Sequence, residues 1–272
     1  MAEKEDQEKK EMSFMDHLEE LRWVLVRSVT AILLAACVAF LGYKYLFDDI
    51  LLAPRSADFF TNRMMCYFSK LLDSPSLCIN SKPFQIINID MAGQFNSQVS
   101  VSIYAGLIIA FPYLIYQLWK FISPALYEEE RKKARGAVLI ISALFLIGVL
   151  FGYYFIAPFS IDFLGSYSVS NQVLNQINLT SYISLVSSLS LVSGLVFEMP
   201  VLVFFLTKIK IITPEFLKKY RKHAFIVILI IAAIISPPDV LSMTLIAIPL
   251  WVLFEVSIIV SKMIIIKKII TD

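Results

Sequence analysis

Three carboxylates stand out because of the sequence around them. Glu198 lies inside the apolar run GLVFEMPVLVFFL, where an ionisable side chain costs at least about 2.5 kcal/mol at the bilayer centre. Such a residue is either a protonated, hydrogen-bonded member of a helix bundle or a functional group. Glu20 and Glu130 lie in polar segments that we place on one face of a membrane. Two carboxylates held on one face can each accept a guanidinium bidentately, which favours Arg over Lys by geometry.

Glu130 belongs to an unusual connection at residues 119–135, WKFISPALYEEERKKAR. We expect Trp119, Phe121 and Tyr127 to supply aromatic surface here, and Pro124 to end the preceding helix because it has no N–H to donate. Three consecutive glutamates are then followed by four basic residues. A loop of this kind is either a solvated connector or a docking site for a charged partner, and the loop alone leaves both interpretations open.

The composition is that of a polytopic membrane protein. The 272 residues are 58% hydrophobic and only 17% charged, with a mean hydropathy of +0.74. Soluble domains are nearer half apolar and a quarter charged. The formal charge of +2 is small, and no basic-aromatic surface indicates nucleic acid. Metalloprotease, serine-hydrolase and phosphate-loop motifs are absent, and neither histidine is spaced with a second metal ligand. We therefore expect no enzyme, no cofactor and no metal.

Hydropathy predicts an all-α protein with six transmembrane helices, of which the fifth is only about 20 Å long. The predicted spans are residues 23–43, 95–122, 137–157 (ending at Pro158), 181–206, 224–236 and 243–261. Residues 1–11 are predicted to be a disordered tail, residues 12–22 a short amphipathic helix at the membrane surface, and residues 267–272 a second tail. The membrane domain then covers residues 12–266, with a long polar loop at 44–95. Lys and Arg are concentrated in alternate connections, which predicts that both termini are cytoplasmic.

This orientation places Cys66 and Cys78, which share the loop at 44–95, outside the cytoplasm. Disulfides persist there, so a bridge between the two is a hypothesis. Cys37 lies in an apolar run and is interpreted as a small packing residue.

Four segments together resemble one family. They are HLEELR at 17–22, FISPALYEEER at 121–131, FEMP at 197–200 and SPPDVLSMTLIAIPLWVLFE at 236–255. In this order, and across nearly all predicted helices, they resemble the TatC subunit of the twin-arginine protein translocase. The resemblance implies a receptor for twin-arginine signal peptides that exports folded proteins using the proton-motive force. It also implies the inner membrane of a bacterium, or an organellar membrane.

The resemblance assigns roles to particular residues. Glu20 and Glu130 would bind the two arginines of the signal peptide, and Arg22 and Phe121 would shape that site. Gln117 and Glu198 would be polar groups within the membrane. Pro54 and Asp239 would belong to the outer face, where assembly takes place.

Partner contacts are also implied. The family's fifth and sixth helices are short, and this edge contacts single-span TatA- and TatB-like subunits; self-association is a further expectation. The chain departs from the family pattern here, because Met243 occupies a position that is usually Gln. Ser236 and Thr244 remain nearby as polar groups for that contact.

Two other functions compete with this one. A proton-coupled small-solute transporter would use Glu198 as its relay and would be indifferent to Glu20 and Glu130. A membrane-anchored scaffold would need none of the three.

Overall fold

A computed structural model describes residues 14–74, 77–81, 84–122, 134–170, 172, 175–235 and 240–271. Ten α-helices lie within these ranges: α1 Phe14–Leu41, α2 Phe60–Leu71, α3 Gly93–Ile122, α4 Ala134–Phe151, α5 Ala157–Ser166, α6 Leu179–Phe197, α7 Met199–Lys208, α8 Pro214–Lys219, α9 Arg221–Ile235 and α10 Val240–Thr271. Two π-helical segments, Tyr45–Leu51 and Gly152–Ile156, and a 3-10 turn at Ala53–Arg55 complete the helical structure. The strands β1 (Ile86–Ile87) and β2 (Ile177–Asn178) pair in parallel.

Five helical stretches of the described chain are long and apolar enough to cross a membrane. They are Leu18–Leu41, Gly93–Phe121, Gly136–Ser166, Leu179–Lys208 and Met243–Ile264. The predicted short fifth span corresponds to α9, whose 15 residues cover about 22 Å at 1.5 Å per residue. The all-α, multi-span prediction is confirmed. The sixth helix, α10, is longer than the resemblance implies, because its 32 residues include nearly all of the tail expected at 267–272.

The amphipathic segment expected at 12–22 is not a separate surface helix. From Phe14 onward it is the first part of α1, which continues without a break to Leu41. The physical reason is that no Pro or Gly lies between these residues, so nothing interrupts the backbone hydrogen bonds. The carboxylates of this segment are consequently attached to a rigid membrane helix.

The third span does not end at Pro158. The chain passes from α4 through the π-helical segment Gly152–Ile156 directly into α5, and the Ala157 N–H donates to the carbonyl of Gly152. A wide π turn accommodates a proline that would break an ordinary α-helix. The helical stretch therefore extends to Ser166.

The fourth span is divided at Glu198. This residue lies between α6 and α7, and Pro200 occupies the first turn of α7. Proline cannot donate the next intrahelical hydrogen bond, so the ladder breaks just before it. The Glu198 carbonyl accepts from the backbone N–H groups of Val201 and Leu202, both at 3.0 Å. The predicted span is thus two helices that meet at its single carboxylate.

The loop expected at 44–95 is folded, with the π-helical segment Tyr45–Leu51, the 3-10 turn and α2 inside it. Asn62, which is fully buried, donates from its Nδ2 to the carbonyls of Pro54 (2.9 Å) and Ser56 (2.7 Å). Asn80 donates from its Nδ2 to the Pro158 carbonyl at 2.9 Å. A Cys66–Cys78 disulfide links the same region. Buried amides satisfy the backbone polar groups of this cap and attach it to α5.

Small residues bring the membrane helices together. Gly148 and Gly152 form a G-x-x-x-G pattern, and a Cβ at 148 would approach the Cα of Gly194 to 2.8 Å. Helices in lipid associate largely through close packing, which such positions permit. The main buried core lies along α6 and α10, with Ile183, Val186 and Ile258 each about 2% exposed or less.

Candidate functional site

A pocket lies where the first part of α1 meets the end of α3. It has a volume of about 440 Å³. Its described lining consists of Glu19, Glu20, Trp23, Val24, Arg27, Gln117 and Lys120. Residues 20, 23, 24 and 27 fall on one face of a helix, because they are three or four positions apart. Two antiparallel helices therefore present the predicted residues Glu20 and Gln117 to one cavity.

Glu20 has an unsatisfied carboxylate oxygen. The side chain is half-buried, and its Oε2 is inaccessible to solvent and has no hydrogen-bond partner among the described residues. Leaving a buried charged acceptor unpaired costs more than the about 1–3 kcal/mol of a neutral group. A donor that enters the pocket would recover that energy, and a guanidinium is the donor that fits a carboxylate bidentately.

Gln117 supplies a second acceptor in the same wall. It is 5% exposed, and its Nε2 donates to the hydroxyl of Tyr113, one helical turn earlier, at 2.6 Å. Its Oε1 has no partner within the described part of the chain. The tyrosine accepts from one of the two amide N–H groups. The pocket thus combines two buried oxygens that have no donor among the described residues.

None of the other predicted residues of this site lines the pocket in the described part of the chain. Arg22 is exposed and does not line the pocket, and Phe121 is half-buried at the end of α3. Glu130, Pro124 and Tyr127 lie outside the described residues. The structure therefore shows one of the two predicted carboxylates in the cavity, next to the helix end that leads toward the other.

Trp119 does not supply aromatic surface as predicted. It is 8% exposed, and its ring lies 5.6 Å from that of Phe205 on α7. The apolar ring is buried there because this side of α3 faces another helix. Its indole Nε1 has no acceptor among the residues that the structure describes.

Glu198 lies apart from the pocket. It is 9% exposed, and neither carboxylate oxygen has a hydrogen-bond partner among the described residues. Both oxygens are inaccessible to solvent, and the backbone of Phe145 on α4 lies close enough to act on the carboxylate. Because the helix is interrupted at this residue, the carboxylate is positioned at a backbone irregularity inside a membrane-spanning stretch.

The predicted outer-face and partner residues differ in accessibility. Pro54 is fully buried in the cap at the opposite end of α1, so any role in assembly would be exerted through the cap. Met243 packs partly against the main core, and Thr244 is exposed. Asp239 and Ser236 lie outside the described residues. Within the residues that the structure describes, no group of three His, Cys, Asp or Glu side chains could hold a metal ion.

Sequence reasoning missed five residues of the pocket lining: Glu19, Trp23, Val24, Arg27 and Lys120. The signal was present for Trp23, which follows Glu19 by one helical turn and precedes Arg27 by another. Reading residues 12–22 as a separate helix hid this continuity. Lys120 could not be identified, because the pairing of α3 with α1 is a tertiary relationship.

The architecture and the pocket define a class: a multi-pass, all-α membrane protein with a polar cavity at one end of its helices and a carboxylate within a span. The family model described as Sec-independent protein translocase protein (TatC) matches residues 16–249. A TatC protein of Blattabacterium sp. subsp. Periplaneta americana is 41% identical over 93% of this chain and 96% of its own length. TatCy of Bacillus subtilis is 32% identical over 93% of this chain and 89% of its own length.

Solved structures agree with this comparison. The crystal structure of the twin-arginine translocase receptor TatC superposes with a TM-score of 0.68 at 33% identity, covering 91% of this chain and 98% of that chain. The structure of that receptor in DDM gives a TM-score of 0.70 at 32% identity, covering 90% and 99%. The chain belongs to the TatC family and is a component of the Sec-independent, twin-arginine protein translocase.

Proposed function

We propose that this chain is the subunit that binds the twin-arginine motif of signal peptides. The observation that carries the proposal is the buried, unpaired Oε2 of Glu20 in a pocket between α1 and α3. One arginine of the peptide would pair with Glu20 and the other with Glu130. Arg22 and Phe121 would shape the rim, and the unpaired acceptor of Gln117 would extend the site inward.

The chemistry favours arginine over lysine. A guanidinium offers a planar fork that matches a carboxylate, whereas an ammonium is a compact and strongly hydrated point charge. Neither arginine can cross hydrocarbon cheaply. A pair of carboxylates at the membrane surface would hold them there while the apolar part of the signal peptide inserts.

Sidedness and energy coupling are further parts of the proposal. Both termini and the pocket would face the cytoplasm of a bacterium, because the connections at the pocket end are rich in Lys and Arg. The cap with Cys66 and Cys78 would then lie on the other side of the inner membrane.

Glu198 would couple transport to the proton-motive force. TatA- and TatB-like subunits would contact the short α9 edge near Ser236, Met243 and Thr244, and Asp239 would act on the outer face.

A binding experiment tests the receptor function. The affinities of a twin-arginine signal peptide and of its Lys-Lys variant would be measured for the purified wild type, Glu20→Ala and Glu130→Ala. We expect the Arg-Arg peptide to bind the wild type, the Lys-Lys peptide to bind much more weakly, and each variant to lose about 1.5–3 kcal/mol, the scale of a charged hydrogen bond.

Glu215→Ala is the matched control, because Glu215 is an exposed carboxylate on α8, at the same end of the helices but outside the pocket. This variant should bind like the wild type. Equal binding of both peptides to all variants would show that Glu20 and Glu130 are solvated charges, and the proposal would then be wrong.

A further inference from the structure

A cationic cluster is present at the pocket end of the helices, on elements that do not line the pocket. Lys218 lies near the end of α8, Arg221 begins α9, and Lys262 lies in the last part of α10. An ion pair between Arg221 and Glu255 ties the start of α9 to α10, two helical turns before Lys262, and Lys218 lies three residues before Arg221. The side chains of Lys218 and Lys262 are consequently close enough to interact. Two consecutive helices, α8 and α9, and the distant end of α10 therefore bring three positive charges together.

One carboxylate of the described chain acts on this cluster, and it is already engaged. Glu255 on α10 accepts from the Arg221 guanidinium at 2.6 Å, with both side chains partly exposed. Glu255 also interacts favourably with Lys262, but Lys218 repels the same lysine. The cluster thus retains an excess of positive charge, and two ammonium groups in contact are stabilised when an anion lies between them.

The surroundings indicate what kind of anion would bind. Lys262 lies two residues before the end of the apolar stretch Met243–Ile264. Exposed apolar side chains flank the cluster in the sequence: Ile211 (68% exposed), Phe216 (50%) and Met263 (63%). Basic side chains at the end of a membrane helix, with apolar surface beside them, match a molecule that has a phosphate head and acyl chains.

We propose that Lys218, Arg221 and Lys262 bind the phosphate headgroup of an anionic phospholipid. The two ammonium groups bind the phosphate oxygens, and Arg221, oriented by Glu255, adds positive potential beside them. The acyl chains lie along the exposed apolar side chains. A bound lipid would join α8 to α10 across the base of the short helix α9. This site is independent of the proposed peptide pocket.

Lipid retention, measured by native mass spectrometry of the purified full chain, tests the proposal. The protein would be titrated with phosphatidylglycerol and, in parallel, with phosphatidylcholine. We expect the wild type to retain phosphatidylglycerol selectively. Lys218→Gln/Lys262→Gln should lower that affinity about 30-fold, since each basic residue at a membrane surface contributes about 1 kcal/mol. Lys218→Arg/Lys262→Arg should restore it.

The matched control is Lys219→Gln/Lys222→Gln, which removes the same charge from two exposed lysines of the same region. It should retain phosphatidylglycerol like the wild type. Equal losses of phosphatidylglycerol affinity in the two double variants would show that only the overall charge determines lipid binding. Displacement of the lipid by millimolar inorganic phosphate would show a free-phosphate site. Either result would overturn the proposal.

Discussion

Gly106 of α3 lies directly against Ala36 of α1, with no room for a side chain between them. A Cβ at position 106 would come within 2.7 Å of the Ala36 nitrogen and 2.8 Å of its Cβ. This contact fixes how closely the two helices approach. Since these helices carry both walls of the pocket, the packing at Gly106 also sets the relative position of Glu20 and Gln117.

Gly106→Ala is therefore expected to destabilise the protein by about 1–3 kcal/mol, the usual cost of inserting a methyl group into a packed interior. It should also weaken peptide binding without touching a pocket residue. Thermal unfolding in detergent, followed by tryptophan fluorescence, measures the first effect, and the peptide titration measures the second.

Gly136→Ala is the control, because a Cβ there would meet nothing within 4 Å. Its stability should be unchanged or slightly higher, since alanine favours a helix over glycine. If the two variants were equally stable and bound equally well, the close contact at Gly106 would not determine the pocket.

The spans could be predicted because hydropathy is a local property. The register between the spans could not be predicted, because it is set by tertiary contacts. Glu20 was predicted to be a site residue from the family resemblance and its pairing with Glu130. Its neighbour Lys120 is about one hundred residues away and meets it only through the pairing of α1 with α3. The close approach at Gly106 contributes to that pairing, and its role is visible only when Ala36 is in place.

The sequence predicted an end of the third span at Pro158 and no break at Pro200 in the fourth span. Two helices meet at Glu198, two residues before Pro200, whereas the chain around Pro158 passes from a π turn directly into the next helix. The difference is the π turn before Pro158, which depends on packing around Gly152 against Ser190 and Ser193. A proline in the sequence signals a lost hydrogen bond, but tertiary contacts decide whether the helix ends.

Asn62→Ala is expected to destabilise the cap by about 1–3 kcal/mol. It leaves the buried carbonyl of Pro54 and the partly buried carbonyl of Ser56 without their side-chain donor. Hydrogen exchange across the 3-10 turn should increase. The measurement is hydrogen–deuterium exchange of the intact protein in detergent, together with its thermal midpoint.

Asn96→Ala provides the comparison, because Asn96 is an exposed asparagine in α3. The hydrogen–deuterium exchange and the thermal midpoint of this variant should match those of the wild type. Wild-type protection of residues 53–55 in Asn62→Ala would show that other contacts hold the cap.

Reduction of the Cys66–Cys78 disulfide is expected to loosen the same cap. The two Cα atoms lie 4.1 Å apart across a separation of 12 residues. Closing a loop of about this length is worth about 3 kcal/mol by chain entropy. Cys66→Ser/Cys78→Ser should therefore have a lower thermal midpoint than the wild type and should no longer respond to reductant.

Cys37→Ser should keep the thermal midpoint of the wild type and its response to reductant, because Cys37 is a free thiol. Gel mobility after alkylation, with and without reductant, reports the bond directly. Free labelling of both Cys66 and Cys78 before reduction would contradict the bridge.

Glu198→Gln should separate recognition from transport. The amide keeps the size and polarity of the side chain but cannot exchange a proton, so a role in energy coupling would be lost. Because Glu198 does not line the pocket, the affinity for the twin-arginine peptide should stay within about twofold of the wild type. Export of a folded reporter protein from cells that carry the variant should fall to background.

Ser142→Ala tests whether any buried polar group would have the same effect. Its Oγ is likewise buried and unpaired among the described residues, and we expect normal binding and normal export. Loss of peptide binding in Glu198→Gln would place this residue in recognition and refute the separation. A substrate-dependent pH change in vesicles, abolished by Glu198→Gln but not by Glu20→Ala, would favour a proton-coupled transporter, because that mechanism needs the intramembrane carboxylate and no arginine site.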